Sequence, residues 1–124
     1  MNCPKCSADM EKVVYSNIEV DRCTDCKGLW FDLLEHVELK AMSGSEAIDI
    51  GDPEVGRKFN RIEDIKCPVC TTQMIKMVDR EQHHIWYESC PSCYGVFFDA
   101  GEFTDYKEDS FIDFIRDVFT RERK

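Results

Sequence analysis

The chain has 124 residues, 43% of them hydrophobic and 33% charged, a composition that folds rather than staying disordered. No apolar run approaches the roughly 18 residues needed to cross a membrane, and the opening Met1-Asn2-Cys3 does not read as a secretory signal, so the expected compartment is the cytoplasm. The formal net charge of −9 repels phosphate backbones at long range, and eight cysteines in a reducing compartment are poor disulfide candidates and good metal ligands.

Cys3-Pro4-Lys5-Cys6 opens the chain. Two cysteines at this spacing place both sulfurs on one ion when the backbone between them turns tightly, with amide N–H groups aimed at the sulfurs, and Pro4 presets φ for that turn. Lys12-Val13-Val14-Tyr15 and Ile18-Glu19-Val20-Asp21 flank Ser16-Asn17 and predict a β-hairpin. Cys23-Thr24-Asp25-Cys26 forms a second knuckle, with Gly28 expected at positive φ where it ends. Leu29-Trp30-Phe31 predicts a third short strand. Asp32 and Glu35 stand at capping-box spacing ahead of a helix over 33–42, a reading preferred to a catalytic carboxylate pair. Ser43-Gly44 would stop that helix.

Residues 43–66 form a linker with Gly44, Gly51, Pro53 and Gly56, interleaved with Ile48, Ile50, Val55, Phe59, Ile62 and Ile65. That is too apolar for a free tether, so it is expected to lie against the flanking modules, with a helical turn near 53–60. The first pattern then returns. Cys67-Pro68-Val69-Cys70 and Cys90-Pro91-Ser92-Cys93 are separated by nineteen residues, against sixteen in the first copy. Strands are expected over Met74–Val78, Ile85–Glu88 and Val96–Phe98, with the extra residues near Asp79-Arg80-Glu81-Gln82. Gly95 matches Gly28, and Asp99 with Glu102 repeats the capping pair ahead of a helix over 100–108. His83-His84 and His36 carry no repeat signature. The last stretch, 110–124, reads as an amphipathic helix. Ser110 caps it, Asp113 lies in its first turn, and Arg121, Arg123 and Lys124 suit its C-terminal end. Phe111, Ile112, Phe114, Ile115, Val118 and Phe119 form its apolar stripe, suited equally to this chain's own core and to a dimer or partner contact.

The duplication settles the architecture. Met10 and Met74 correspond, and Gly, two aromatics, Asp and Glu recur at identical offsets after each fourth cysteine. Four soft thiolates in tetrahedral array suit Zn²⁺, and a site with no open position is structural. The ligands are therefore Cys3, Cys6, Cys23 and Cys26 for one zinc and Cys67, Cys70, Cys90 and Cys93 for the other. The expected fold is a small metal-bound α+β arrangement of two tandem ribbons, three short antiparallel strands each. Each is followed by a short helix, and the C-terminal amphipathic helix completes the chain. The units are 1–42, 43–66, 67–109 and 110–124. Replacing Cys26 or Cys93 by serine should then disorder its own ribbon alone.

At Cys-Pro-x-Cys…Cys-x-x-Cys-x-Gly-x-Trp-Phe-Asp-x-x-Glu the sequence resembles the bacterial zinc-ribbon family named after general transcription factor IIB. The resemblance covers 3–39 and 67–103 and implies zinc at all eight cysteines. One departure is Leu34, where the family usually has glycine, as at Gly101. The family name implies a link to transcription, but a shared fold does not transfer a function.

Three functions follow from these residues. The first is a non-enzymatic, zinc-dependent protein-interaction adaptor, with Trp86, Tyr87 and the tail stripe as the partner surface and a homodimer through the tail helix as one form of it. The second is a nucleic-acid-binding or transcription-regulating protein, for which the bases are Arg57, Lys58, Arg61, Arg121, Arg123 and Lys124. The acidic balance disfavours it: the four units carry −3, −2, −5 and +1 in chain order. The third is an iron or dithiol redox protein, since Cys-x-x-Cys pairs serve both chemistries. No catalytic residue and no membrane contact is expected.

Overall fold

In a computed structural model of the chain, which describes residues 1–62, 64–78 and 85–107, Ser16 and Asn17 take φ of 49° and 69°. Two positive φ values make the tight turn whose twist matches paired strands, and it joins β1 (Met10–Tyr15) to β2 (Ile18–Cys23). β3 (Leu29–Phe31) pairs antiparallel with β2, setting Asp21 opposite Trp30. The second copy builds β4 (Ile75–Val78), β5 (Trp86–Ser89) and β6 (Val96–Phe98) in the same antiparallel pattern, with Glu88 opposite Phe97.

The two copies then join edge to edge. β3 pairs antiparallel with β6, so one six-stranded sheet runs β1-β2-β3-β6-β5-β4. Trp30 faces Phe97 at the centre, with Leu29 opposite Phe98 and Phe31 opposite Val96. Those pairs exchange equivalent positions, so the halves are related by a pseudo-two-fold axis through the Trp30–Phe97 pair.

Side chains alternate across the sheet, and each face has its own core. Leu29, Phe31, Val96 and Phe98 point to one face, with Val20, Ile85, Leu39, Ile48, Phe103 and Tyr106. Trp30 and Phe97 point to the other, with the cysteines, Ile65 and Met74. Helix α1 (Glu35–Lys40), a 3-10 turn (Ser45–Ile48) and a helix over 102–107 cover the first face. Helix α2 (Pro53–Asn60) lays Val55 and Phe59 on the second. Asp52 accepts a hydrogen bond from the Glu54 N–H at 2.9 Å ahead of Pro53, a favoured helix start.

The linker is bound to both halves. Arg22 donates to the Ile48 carbonyl at 3.0 Å and Tyr15 to the Ser43 carbonyl. Farther along, Asp49 accepts from the Gly101 N–H and from the Thr104 N–H and hydroxyl, each at 3.0 Å.

Three expectations need correction. Gly28 and Gly95 do not hold positive φ; Lys27 and Tyr94, one residue earlier, do, at 63° each. Glycine is needed because a Cβ on Gly28 would stand 2.2 Å from the Phe97 ring, and one on Gly95 2.2 Å from Trp30. Each knuckle closes against the aromatic of the opposite copy. Next, α1 starts later and stops earlier than 33–42: its N-cap is Leu34 at φ 64°, with no side-chain cap. Glu35 does accept the Asp32 N–H at 2.9 Å, but the Asp32 carboxylate accepts from the Trp30 indole instead, at 3.2 Å. Asp99 caps nothing either, for the reason given below. The helix expected over 110–124, with Phe111, Ile112, Phe114, Ile115, Val118, Phe119, Arg121, Arg123 and Lys124, lies outside the described residues. So do Asp79–Gln82 and His83-His84.

Candidate metal centre

Each four-cysteine group draws on both ends of one ribbon. Cys3 and Cys6 precede β1, while Cys23 closes β2 and Cys26 precedes β3, so the hairpin folds the two knuckles together. The Cys3 and Cys26 sulfurs stand 3.7 Å apart and those of Cys6 and Cys23 3.3 Å. In the second group Cys67–Cys93 is 3.6 Å and Cys70–Cys90 is 3.3 Å. Within each group all four sulfurs lie within 4.8 Å of one another. A tetrahedron around a zinc–sulfur distance of about 2.3 Å has edges of about 3.8 Å, so each cluster has the size of a four-thiolate shell. All eight cysteines are unpaired by disulfide.

Backbone amides converge on the sulfurs. Cys23 accepts from the Asp25 and Cys26 N–H groups at 3.3 and 3.4 Å. Cys67 accepts from Val69 and Cys70, and Cys90 from Ser92 and Cys93, all at 3.4 Å. These donors offset thiolate charge before any cation arrives. A hydrogen bond from Cys26 lowers Cys3 to about 5, and the same contact raises Cys26 far above the ordinary thiol range. In the second group, burial pushes Cys67 up to about 12, while the Thr72 hydroxyl lowers Cys70 to about 6. Four thiolates are the ligating form, so binding a cation would displace the thiol protons. Either group could hold one metal ion, with no fifth ligand needed.

Between the two centres lies a feature absent from the sequence reading. Lys5, inside the first knuckle, has a fully buried side chain. Its ammonium meets Asp99 Oδ2 at 2.7 Å and Glu88 Oε1 at 2.6 Å. It also donates to the Phe59 carbonyl of α2 at 2.9 Å. Both carboxylates belong to the second ribbon, so this buried cation ties three parts of the chain together. Asp99 is drawn there and away from the helix start, where a capping role would have held it. Burial raises its carboxyl to about 6, against the pull of Lys5. The sign of this site was a break in the repeat: lysine in the first knuckle where the second has Val69.

The other named residues scatter. Arg57, Lys58 and Arg61 are exposed on or just after α2, and Arg57 lies 3.8 Å from Glu54. Trp86 is 40% exposed. Tyr87 is not an exposed aromatic: it stacks on Phe98 with ring centres 5.1 Å apart, because its position on β5 faces the first core. His36 likewise sits among Phe31, Tyr87, Phe98 and Tyr106. No helix among the described residues is long and apolar enough to cross a membrane.

The duplicated hairpin with four cysteines at its base defines a tandem metal-binding ribbon protein. The sequence profile described as transcription factor zinc-finger matches residues 2–42 and 66–109, both copies and well over half the chain, and the chain belongs to that family. Comparison with curated proteins and with solved structures finds no match.

Proposed function

We propose that this protein holds one zinc ion in each four-cysteine group and acts, without catalysing a reaction, as a rigid adaptor for protein partners. One observation carries the reading: each group offers four sulfurs, enough to fill a tetrahedral shell, and shares a core with Trp30 and Phe97, which suits a metal that sets shape. The surface around them is acidic, with a formal −9 that two four-thiolate zinc centres would lower to about −13. Such a surface favours basic or apolar protein contacts over nucleic acid. The half-exposed Trp86 is the aromatic best placed to anchor a partner.

A second reading, direct nucleic-acid binding, draws on the exposed Arg57, Lys58 and Arg61 at the end of α2 and on the family's name. Fluorescence anisotropy of zinc-loaded protein with labelled duplex and single-stranded DNA and RNA, titrated across salt, separates the two. The adaptor reading expects no binding even at low salt, together with affinity capture of a protein partner that Trp86→Ala releases. Salt-sensitive binding at micromolar concentration or tighter would transfer the assignment to nucleic acid. Elemental analysis of fresh, reduced protein should give two zinc ions per chain. Iron in protein isolated from its natural host would replace zinc with a redox role.

A further inference from the structure

The pseudo-two-fold axis relates the two ribbons, but what covers them differs between the halves. After α1 the chain turns back over its own hairpin: Met42 and Ile48 pack with Val13, Tyr15 and Ile18. It then crosses to the second ribbon. Ala100, only 3% exposed, lies under Gly51 and Gly56, and Gly101 lies against Pro53. Asp49 fastens this contact through Gly101 and Thr104.

Among the described residues nothing comparable covers the equivalent surfaces on the other half. Met77, the counterpart of the packed Val13, is 41% exposed. Leu33, Leu34 and Val37, the counterparts of Ala100, Gly101 and Thr104, are each about half exposed. The residues are also more apolar than those the linker covers, which is the reverse of what a solvent face selects. Leu34 adds a second sign. It holds φ 64° where Gly101 holds 84°, and a left-handed conformation costs a residue with a Cβ roughly 1–2 kcal/mol. An exposed leucine kept in a glycine conformation marks a position where the side chain has a use.

We propose that the C-terminal segment, through its apolar stripe Phe111–Phe119, covers Met77 and then Leu33, Leu34 and Val37, as the linker covers their counterparts. Three observations select this occupant over a second copy or another protein. In sequence, 110–124 comes after the second ribbon as the linker comes after the first, so the pseudo-two-fold relation of the ribbons pairs it with this face. Its length suffices: sixteen residues take the linker from Lys40 to Gly56, and seventeen follow Lys107, the counterpart of Lys40. Its charge is complementary. Residues 110–124 carry +1, the only positive unit of the chain, and end in Arg121, Arg123 and Lys124. Exposed Asp32 and Glu38 flank these leucines. A second copy would instead bring one acidic ribbon against another.

Hydrogen exchange by mass spectrometry on the metal-loaded full chain tests this, with sedimentation run at two protein concentrations. The expected result is a monomer whose 110–119 amides exchange at least roughly tenfold more slowly than an unstructured peptide. Leu34→Asp and Met77→Asp should each abolish that protection while the sheet strands stay protected. Aspartate tolerates the left-handed conformation, so the first variant is compatible with folding, and the second reads the same contact from a strand. A tail exchanging at the unstructured rate overturns the proposal. So does protection that appears only with dimers, or that survives both substitutions.

Discussion

Lys5 occupies the place of an exposed Val69 in the repeat and instead points inward, between Glu88 and Asp99 at 2.6 and 2.7 Å. Removing one partner of a buried ion group strands the others without water, a loss of about 3–5 kcal/mol. Lys5→Met should therefore lower the stability of metal-loaded protein by that amount in denaturant unfolding. Arg57→Met, which breaks an exposed pair with Glu54, should cost less than about 1 kcal/mol. Similar losses from both would show that Lys5 contributes no more than a surface charge. Glu102 supplies a pH signature. Burial first, then Asp99, Asp105 and Glu88, raise its carboxyl from 4.5 to about 7, against the pull of Lys5. The fold thus binds this proton more tightly than the unfolded chain. The cost of ionising Glu102 is fully present above pH 7, shrinks as pH falls toward 4.5, and is absent below. Glu102→Gln should raise Tm relative to the parent at pH 8 and lose most of that gain by pH 5. A gain independent of pH would remove ionisation as its cause.

At the scale of elements, the junction between β3 and β6 rests on glycine under aromatic rings. A methyl group on Gly28 or Gly95 would meet a ring of the opposite copy at 2.2 Å, and overpacking of that kind costs about 1–3 kcal/mol. Gly95→Ala should destabilise by such an amount in denaturant titration. Trp30→Phe, which withdraws the atoms Cζ2 and Cη2 that the methyl would strike, should recover part of the loss. Gly28→Ala, which strikes Phe97 instead, should gain nothing from that second substitution. Equal recovery in both backgrounds would mean that Trp30→Phe acts through general loosening rather than through the contact. The glycines were legible in the sequence as necessary, but the reason was not. Positive φ falls on Lys27 and Tyr94, and only the pairing of the copies shows which ring each glycine admits.

For the whole molecule, the two metal centres share one core. Cys3, Cys23, Cys26, Cys67 and Cys90 pack with Trp30 and Phe97 in a single cluster, and the central strand pair crosses from one ribbon to the other. The expectation that a lost ligand disorders its own ribbon alone therefore changes. Cys93→Ser should remove one ion by elemental analysis and also broaden or shift the indole NMR signal of Trp30, which lies in the other ribbon under Gly95. An unperturbed Trp30 signal would mean that the ribbons fold independently. Chelation of both metals should likewise abolish strand protection in both copies in one transition, since each ribbon alone is too small to hold a core.

The sequence by itself determined the local chemistry. Eight cysteines at ribbon spacing, proline within three of the four knuckles and the alternating hairpin strands identified both metal centres and placed the strands to within two residues, because these features depend on neighbours close along the chain. What only the tertiary structure decided depends on contacts between the copies. Those are the continuous six-stranded sheet, the burial of Lys5 against Asp99 and Glu88, the stacking that partly buries Tyr87, and the linker seated over Ala100. Asp99 shows why. Its spacing from Glu102 matches a helix cap as well as Asp32 and Glu35 do, and local pattern cannot distinguish the two copies. A lysine ninety-four residues away in sequence draws the carboxylate inward, and that partner exists only once the halves have paired.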